Sequence, residues 1–418
     1  MAEKKGKNIW LELQQEVLEL ILQKLVLKDY LNCGQVCRYW RNVVVDALAI
    51  KGRCPPAPQF PFLLVLPSPD RTIAELSTLL ELSQDTLYTI STDSGEGSFD
   101  DVGSVEGWLV FRKSIHNSSG SRSCCLHTFF NPVSGEKHNL PPLFPRMKID
   151  SSVRTETKFY STPSSPKFVT VISFVACIGS ELKQRLEFCK LNDKSWTSIN
   201  TLESRSIIIH DFVIIGGCKI YGIVEGVFDF VIVFYLRDAT AITCERLVLL
   251  DPKPDPMVSH EGFRVRDVLR FITDCFSMMV TDPTREEEVL LVLHLHDKVF
   301  NGERKSFGST KGFRVFKLDI SECRWMEIDN LDGRFLVLDC KGIRVMSTTV
   351  LDCPENFTGG NCGNCVFFCL TNNNRLDPYV KRGLGVFSLT DKRIRNLPLH
   401  PFLKVVSGTC SWFTPSLW

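Results

Sequence analysis

An internal repeat restricts this chain's fold more than any other feature. Leu186-Glu-Phe-Cys-Lys-Leu191 is followed by Trp196, Leu202 and Arg205, and Phe313-Arg-Val-Phe-Lys-Leu318 is followed by Trp325, Leu331 and Arg334. In both copies a leucine lies six residues after the tryptophan and an arginine nine residues after it. Weaker echoes stand at Val231-Ile-Val-Phe-Tyr-Leu236 and Leu384-Gly-Val-Phe-Ser-Leu389. A repeated apolar strand, turn and tryptophan-bearing strand is how a propeller blade reads, because one such unit cannot bury its own faces and must stack on its neighbours. The surrounding chain is a series of short β-type runs punctuated by Gly, Asn and Ser, such as 107–111, 168–175, 207–215, 289–296 and 365–370. At roughly 40–50 residues per blade, the ~360 residues available hold six or seven blades. A β-sandwich needs no repeat and matches less well.

Residues 10–50 have a different texture. Val17, Leu18, Ile21, Leu22 and Leu25 recur at three- and four-residue spacing, with Glu12, Glu16, Glu19 and Gln23 on the other face, which predicts an amphipathic helix. Asp29 is the expected N-cap of a short second helix over Tyr30 to Val36. A third apolar stripe runs through Val36, Trp40, Val43, Val44, Ala47 and Leu48. Three short helices cannot bury enough apolar surface to stand comfortably alone. The bundle is therefore docked on the rest of the chain, or completed by a partner protein. Prolines 55, 56, 58, 61, 67 and 69 then forbid regular helix and stiffen a connector. This divides the chain into a helical module over 1–50, a connector and entry to the first blade over 51–70, and a β domain over 60–418.

The charge balance of 49 basic to 48 acidic residues argues against a nucleic-acid or membrane partner. The apolar region from Ile207 to Leu236 is broken by Asp211, Lys219, Glu225, Asp229 and Gly216-Gly217, so it predicts buried strands and not a membrane helix. Seventeen cysteines are scattered without a dense framework, and the N-terminal Met-Ala-Glu-Lys-Lys-Gly-Lys lacks an apolar h-region. Free thiols in a cytoplasmic or nuclear protein are expected, and the sequons at Asn117 and Asn356 then carry no glycan.

The stretch from Trp10 through Leu13, Val17, Ile21, Leu22 and Leu25, then Leu31, Val36-Cys37 and Trp40-Arg41, resembles the F-box. The Val-Cys-x-x-Trp ending distinguishes it from a lone amphipathic helix. Where the family usually has Leu-Pro, this chain has Leu13-Gln14, losing a residue that presets φ at a first helical position. The remainder resembles the plant F-box-associated KIB-type β-propeller. The likeness is carried by Ser104-Val-Glu-Gly-Trp108, Asn131-Pro-Val-Ser-Gly135 with Leu140-Pro-Pro-Leu143, Gly312-Phe-Arg-Val-Phe-Lys-Leu-Asp319, Asn364-Cys-Val-Phe-Phe368 and Trp412-Phe-Thr-Pro-Ser-Leu-Trp418.

The resemblance implies a mainly β chain, a three-helix F-box followed by a propeller of six or seven blades. Its function would be substrate recognition in an SCF-type ubiquitin ligase. The F-box would bind a Skp-type adaptor, and through it a cullin, using Trp10, Leu13, Val17, Ile21, Leu22, Leu25, Leu31, Val36, Cys37 and Trp40. The propeller would hold an unidentified protein substrate, and the chain itself would need no catalytic residue, metal or cofactor. The same F-box side chains could form the module's own core. Sequence spacing does not separate the two roles.

Other motifs favour structural readings. Cys362-Gly-Asn-Cys365, with Cys353 and Cys369 nearby, lacks the second ligand pair of a closed zinc site. His294-Leu-His296 places both rings on one face of a strand, on the surface or in an inner channel, with no third ligand in view. Glu286-Glu-Glu288 reads as a solvated strand entrance, and Trp196 and Trp325 as blade-packing residues. Ser411 to Trp418 is too aromatic for a solvated tail and is expected to close the ring with Phe62 to Leu66, in the same or an adjacent blade. The competing readings are a propeller scaffold with a degenerate F-box, supported by Gln14, and a propeller enzyme, for which no convergent catalytic set is visible.

Overall fold

A computed structural model of the chain describes residues 10, 13–50, 52–65, 77–82, 86–90, 101–116, 122–143, 154–163, 165–178, 181–199, 208–224, 227–236, 242–248, 276–282, 285, 288–301, 304–339, 342–347, 362–370, 383–397 and 410–417. Three helices come first: α1 (Gln15–Leu22), α2 (Leu27–Cys33) and α3 (Arg38–Ala49). The second begins earlier than its sequence predicts. Val26 is its extended N-cap and Asp29 falls inside the first turn, where a carboxylate suits the helix dipole without capping.

Six sheets follow among the described residues. The first contains β1 (Phe62–Val65), β2 (Ser77–Glu81) and β3 (Thr86–Ile90), and its innermost strand is β25 (Cys410–Phe413). The second runs outward through β4 (Asp101–Val105), β5 (Trp108–His116), β6 (Arg122–Phe130) and β7 (Lys137–Asn139). The third is β8 (Arg154–Tyr160), β9 (Val169–Ile178), β10 (Glu181–Lys190) and β11 (Thr197–Ile199). The fourth is β12 (Ile209–Ile215), β13 (Lys219–Val224), β14 (Val227–Leu236) and β15 (Ile242–Val248). The fifth is β16 (Phe276–Thr281), β17 (Val289–Asn301), β18 (Arg304–Asp319) and β19 (Arg324–Ile328).

The sixth sheet departs from this order. It contains β20 (Arg334–Asp339), β21 (Gly342–Ser347), β22 (Cys365–Leu370), β23 (Gly383–Ser388) and β24 (Arg393–Asn396), arranged β21-β20-β22-β23-β24. The pairing of β20 with β22 is parallel, whereas every other pair is antiparallel. Set β20 aside and the remaining four strands form a regular blade. An extra strand has been wedged between its first and second strands. The architecture is a six-bladed β-propeller.

The repeat in the sequence marks one position in the blade. Leu186–Leu191 begins on β10, Val231–Leu236 on β14, Phe313–Leu318 on β18 and Leu384–Leu389 on β23, which are the third strands of their regular blades. Trp325 sits on the outer strand opposite Leu318 and is buried, and Trp196 donates its indole N–H to Pro141 O at 2.8 Å in the preceding blade. Both tryptophans pack blades, as their fixed place in the repeat predicts.

The uninterrupted apolar runs follow from burial on both faces. In β14, Val231 and Val233 pack against blade 5, while Ile232 and Phe234 pack against blade 3. Similar clusters fill the remaining interfaces between neighbouring blades, including that between blades 6 and 1. Because period-2 alternation points successive side chains to opposite faces, a strand between two blades must be apolar at both.

The ring closes as the sequence predicts. β25 pairs with β1 in antiparallel register, Phe62 opposite Phe413 and Val65 opposite Cys410. Near the axis, Asp339 accepts from Ser411 Oγ at 2.9 Å and Trp412 N at 2.7 Å, and Trp412 Nε1 donates to Leu338 O at 2.9 Å. Ser104 Oγ and Arg344 both donate to Trp412 O, so blades 6, 1 and 2 meet at one residue. Across the axis, Lys158 pairs with Asp211 at 3.0 Å, and Asp211 accepts from Met279 N at 2.6 Å, joining blades 3, 4 and 5.

Two local expectations are corrected. Glu288 is no solvated entrance: it is buried and paired with Arg334, the arginine of the repeat, and with Lys317 at 3.1 Å. Burial alone would raise its carboxyl, but these cations hold it below the usual range. Residues 286 and 287 lie outside the described residues. His294 and His296 do share a face, with ring centroids 3.7 Å apart. His294 is buried and stacks on Phe313 at 4.6 Å, so its ring lies at neither surface nor channel, whereas His296 is half-buried. Burial pulls the pKa of His294 well below the ordinary histidine value, so the imidazole is neutral.

Candidate functional site

The helical module presents the chain's most distinctive surface. Its inner face is formed by Leu18 and Leu22 of α1, Leu27, Tyr30 and Cys33 of α2, and Trp40, Val43, Val44 and Ala47 of α3. The propeller and connector complete this core with Cys54 and Leu417, and Val133 packs against it. The Tyr30 hydroxyl, buried and raised in pKa chiefly by desolvation, donates to Cys54 O at 2.9 Å. Ala57 N donates to Leu25 O at 2.9 Å, and Leu27 N to Gln59 Oε1 at 3.2 Å. The proline-rich connector is thus a strap along the module.

The Val-Cys-x-x-Trp ending has a physical role. Cys37 is the N-cap of α3, and its Sγ accepts from Trp40 N at 3.4 Å, one of the donors a helix start leaves without an internal partner. Trp40 Nε1 donates to Trp10 O at 2.9 Å, and the Tyr39 hydroxyl donates to Leu13 O at 2.9 Å. One end of α3 thereby pins the segment that leads into α1. Gln14, the N-cap of α1, has φ −62° and ψ 147° and makes no side-chain capping bond. The helix begins one residue later than the position proline usually takes, yet φ already has the value proline would impose.

Of ten exposed large apolar side chains among the described residues, eight belong to this module: Trp10, Val17, Leu20, Leu31, Val36, Tyr39, Val45 and Ile50. Leu87 and Ile115 are the other two, each in a propeller blade. The ten residues expected at an interface therefore divide. Trp10, Val17, Leu31 and Val36 are exposed, Leu13, Ile21, Leu25 and Cys37 are half-buried, and Leu22 and Trp40 lie in the core. Leu20, Tyr39, Val45 and Ile50 escaped the sequence reading because they lie off the apolar stripe. An apolar residue among Glu16, Glu19 and Gln23, as Leu20 is, was the available signal.

No cluster elsewhere among the described residues has this character. Cys362, Cys365 and Cys369 are buried in the apolar interface between blades 6 and 1, and Cys353 lies outside the described residues. The described residues hold no group of three or more His, Cys, Asp or Glu side chains suited to a metal. No helix among them is long and apolar enough to cross a membrane.

A model of the KIB1-4 β-propeller matches residues 79–388, and an F-box domain model matches residues 10–47. The chain belongs to the KIB1-4 β-propeller family. Its F-box is the three-helix module just described, and the family match runs from β2 in blade 1 to β23 in blade 6. No curated protein matches the chain. Among solved structures, a protein from Lactobacillus plantarum is 11% identical with a TM-score of 0.40, covering 85% of this chain and 99% of that one. The β-propeller domain of the Trilobed protease from Pyrococcus furiosus is 8% identical with a TM-score of 0.31, over 73% of this chain and 72% of that one. A luciferin-regenerating enzyme is 12% identical with a TM-score of 0.30, over 66% and 78%. Likeness of this size says nothing about what this KIB-type protein binds.

F-box domains generally bind Skp-type adaptors. An F-box joined to a propeller fits a non-catalytic, adaptor-type protein.

Proposed function

We propose that this KIB-type F-box protein is the substrate-recognition subunit of an SCF-type ubiquitin ligase acting in the cytoplasm or nucleus. Its F-box would bind a Skp adaptor, and through it a cullin, while the propeller holds a protein target. Such a receptor breaks and forms no bonds. It raises the effective concentration of a target near the ubiquitin-conjugating enzyme.

The observation that carries this reading is the unequal exposure of apolar side chains: of ten exposed large ones among the described residues, eight lie on the F-box. Exposed apolar side chains gathered on one module mark a candidate interaction site. The adaptor would contact Trp10, Leu13, Val17, Ile21, Leu31 and Val36, together with Leu20, in a helix-in-groove arrangement. Leu22, Leu25, Cys37 and Trp40 would support that surface from behind. The scaffold alternative rests on Gln14, and its proline-like φ of −62° removes most of that support. Co-purification of the full chain with a Skp-type adaptor and cullin tests the proposal. A full chain that recovers neither, under conditions where another F-box protein recovers both, would defeat it.

A further inference from the structure

We propose that residues 414–417 are a working part of the F-box, so that adaptor binding is coupled to closure of the propeller ring. The inference rests on the adaptor-binding reading of the F-box and names what regulates that site.

The coupling is built from adjoining residues. β25 closes blade 1 against β1, and the chain then crosses to blade 2. Ser416 is gripped there from two sides. Its carbonyl accepts from Asn131 Nδ2 at 3.1 Å, and its backbone nitrogen lies 2.7 Å from where a Cβ on Gly107 would stand. Gly107 also has φ +88°, so a side chain there is excluded twice over. Asn131 is wholly buried, and its Oδ1 accepts from Val133 N at 2.9 Å and Ser134 N at 3.2 Å. This one side chain thus holds the turn and the crossing segment together. Val133, on that turn, packs against the F-box core.

Leu417 follows directly and is buried in the same cluster as Leu18, Leu22 and Tyr30. The F-box core therefore includes a leucine that reaches it from the segment that closes the ring. Three short helices have little stability of their own, so losing one core side chain lowers the fraction of F-box that is folded. Apparent adaptor affinity falls by that same fraction. Gly107, Asn131 and Leu417 are positioning residues for a surface they do not touch.

The test uses the full chain, a purified Skp-type adaptor and amide hydrogen exchange. Asn131→Asp keeps the Oδ1 acceptor of the turn and removes the donor to Ser416. Its adaptor affinity is expected to fall about fivefold. Leu417→Ala is expected to lose about tenfold or more, with amides of α1–α3 exchanging faster and those of blades 3–5 unchanged. Leu417→Met should restore both readouts. Wild-type adaptor affinity and wild-type protection of α1–α3 in Leu417→Ala would overturn the proposal. Equal loss of protection in the helices and all blades would also overturn it, because the segment would then serve the ring alone. If the wild-type chain binds no adaptor, the ligase reading fails, and the exchange pattern of Leu417→Ala still decides the coupling.

Discussion

In β14, Val231 and Val233 face one neighbouring blade and Ile232 and Phe234 face the other, so this stretch of the strand is buried on both faces. In α1, Leu18 and Leu22 turn inward while Val17 and Leu20 face out. The contrast comes from closure. A ring of blades gives each sheet a neighbour on both sides, whereas a three-helix module has one inner face and must leave the other uncovered or lend it to a partner. Among the described residues, apolar exposure is accordingly concentrated in one region. That localisation points to function there, while the propeller's apolar residues mainly report packing.

The comparison is broken most severely by opening the ring. Trp412 is buried, donates to Leu338 O and accepts from two neighbouring blades through its carbonyl. Trp412→Ala is expected to cost about 3–5 kcal/mol in packing. Deleting residues 411–418 should cost more, because it also bares the edge of β1. Thermal unfolding and solubility are the measurements. A truncated chain melting with the wild type would make the β25–β1 pairing dispensable.

Within the F-box, core and surface substitutions should separate. Trp40→Ala removes a core ring and its bond to Trp10, costing on the order of 3 kcal/mol and lowering adaptor binding through unfolding. Leu20→Ser should leave F-box amide exchange near wild type and still weaken adaptor binding, by about 1–2 kcal/mol. If Leu20→Ser binds the adaptor as well as wild type, the exposed face extends beyond what the adaptor covers.

The propeller also carries a pH dependence of its own. His127 is buried between blades 2 and 3 beside Trp196, and neither ring nitrogen has a hydrogen-bond partner. Burial, with Arg112 opposite it, lowers its pKa from 6.5 to about 3. The unfolded chain then binds the proton that the folded chain refuses. Stability is full above pH 6.5 and is lost as pH falls from there towards 3, amounting to about 2 kcal/mol at pH 5. His294, buried and likewise lowered, acts in the same direction. Denaturant unfolding of wild type and His127→Phe at pH 7 and pH 5 checks this. The gap between the two pH values should narrow in the variant, and an unchanged gap would assign the loss to other groups.

The smallest effect belongs to Gln14→Pro. With φ at −62°, proline should stabilise the F-box by about 0.4–1 kcal/mol through the unfolded state. Slower amide exchange in α1 is the expected sign. Faster exchange would mean that the backbone N–H of Gln14 is needed.

Much of this arrangement was legible in sequence for an identifiable reason. The repeat at 186–196 and 313–325 fell on equivalent blade strands because equivalent positions meet the same neighbours. The aromatic segment after residue 410 had to be buried, and a ring's only open edge was the place for it. Local periodicity also found the three helices, but it could not start α2 correctly, since Asp29 resembles a cap and the true cap is Val26. Tertiary pairing was invisible too: nothing near Glu288 announces Arg334, and nothing near Leu18 announces Leu417. The inserted strand β20 had no signal, because its unbroken apolar run from Phe335 to Leu338 reads like any other strand buried on both faces. For the adaptor surface, periodicity selected the apolar stripe, which is mostly core, and passed over Leu20 on the polar face.

The central claim is that the exposed apolar face of the F-box is the adaptor site. Its most direct test is the affinity of the full-length Val17→Asp/Val36→Asp variant for a Skp-type adaptor, measured by titration calorimetry beside the wild type. Both side chains are exposed, so the variant should melt within a degree or two of wild type (surface changes cost about 0.5 kcal/mol or less). Adaptor affinity should fall at least about 30-fold, the equivalent of one lost anchor near 2 kcal/mol. Wild-type affinity in a variant that melts normally would contradict the account.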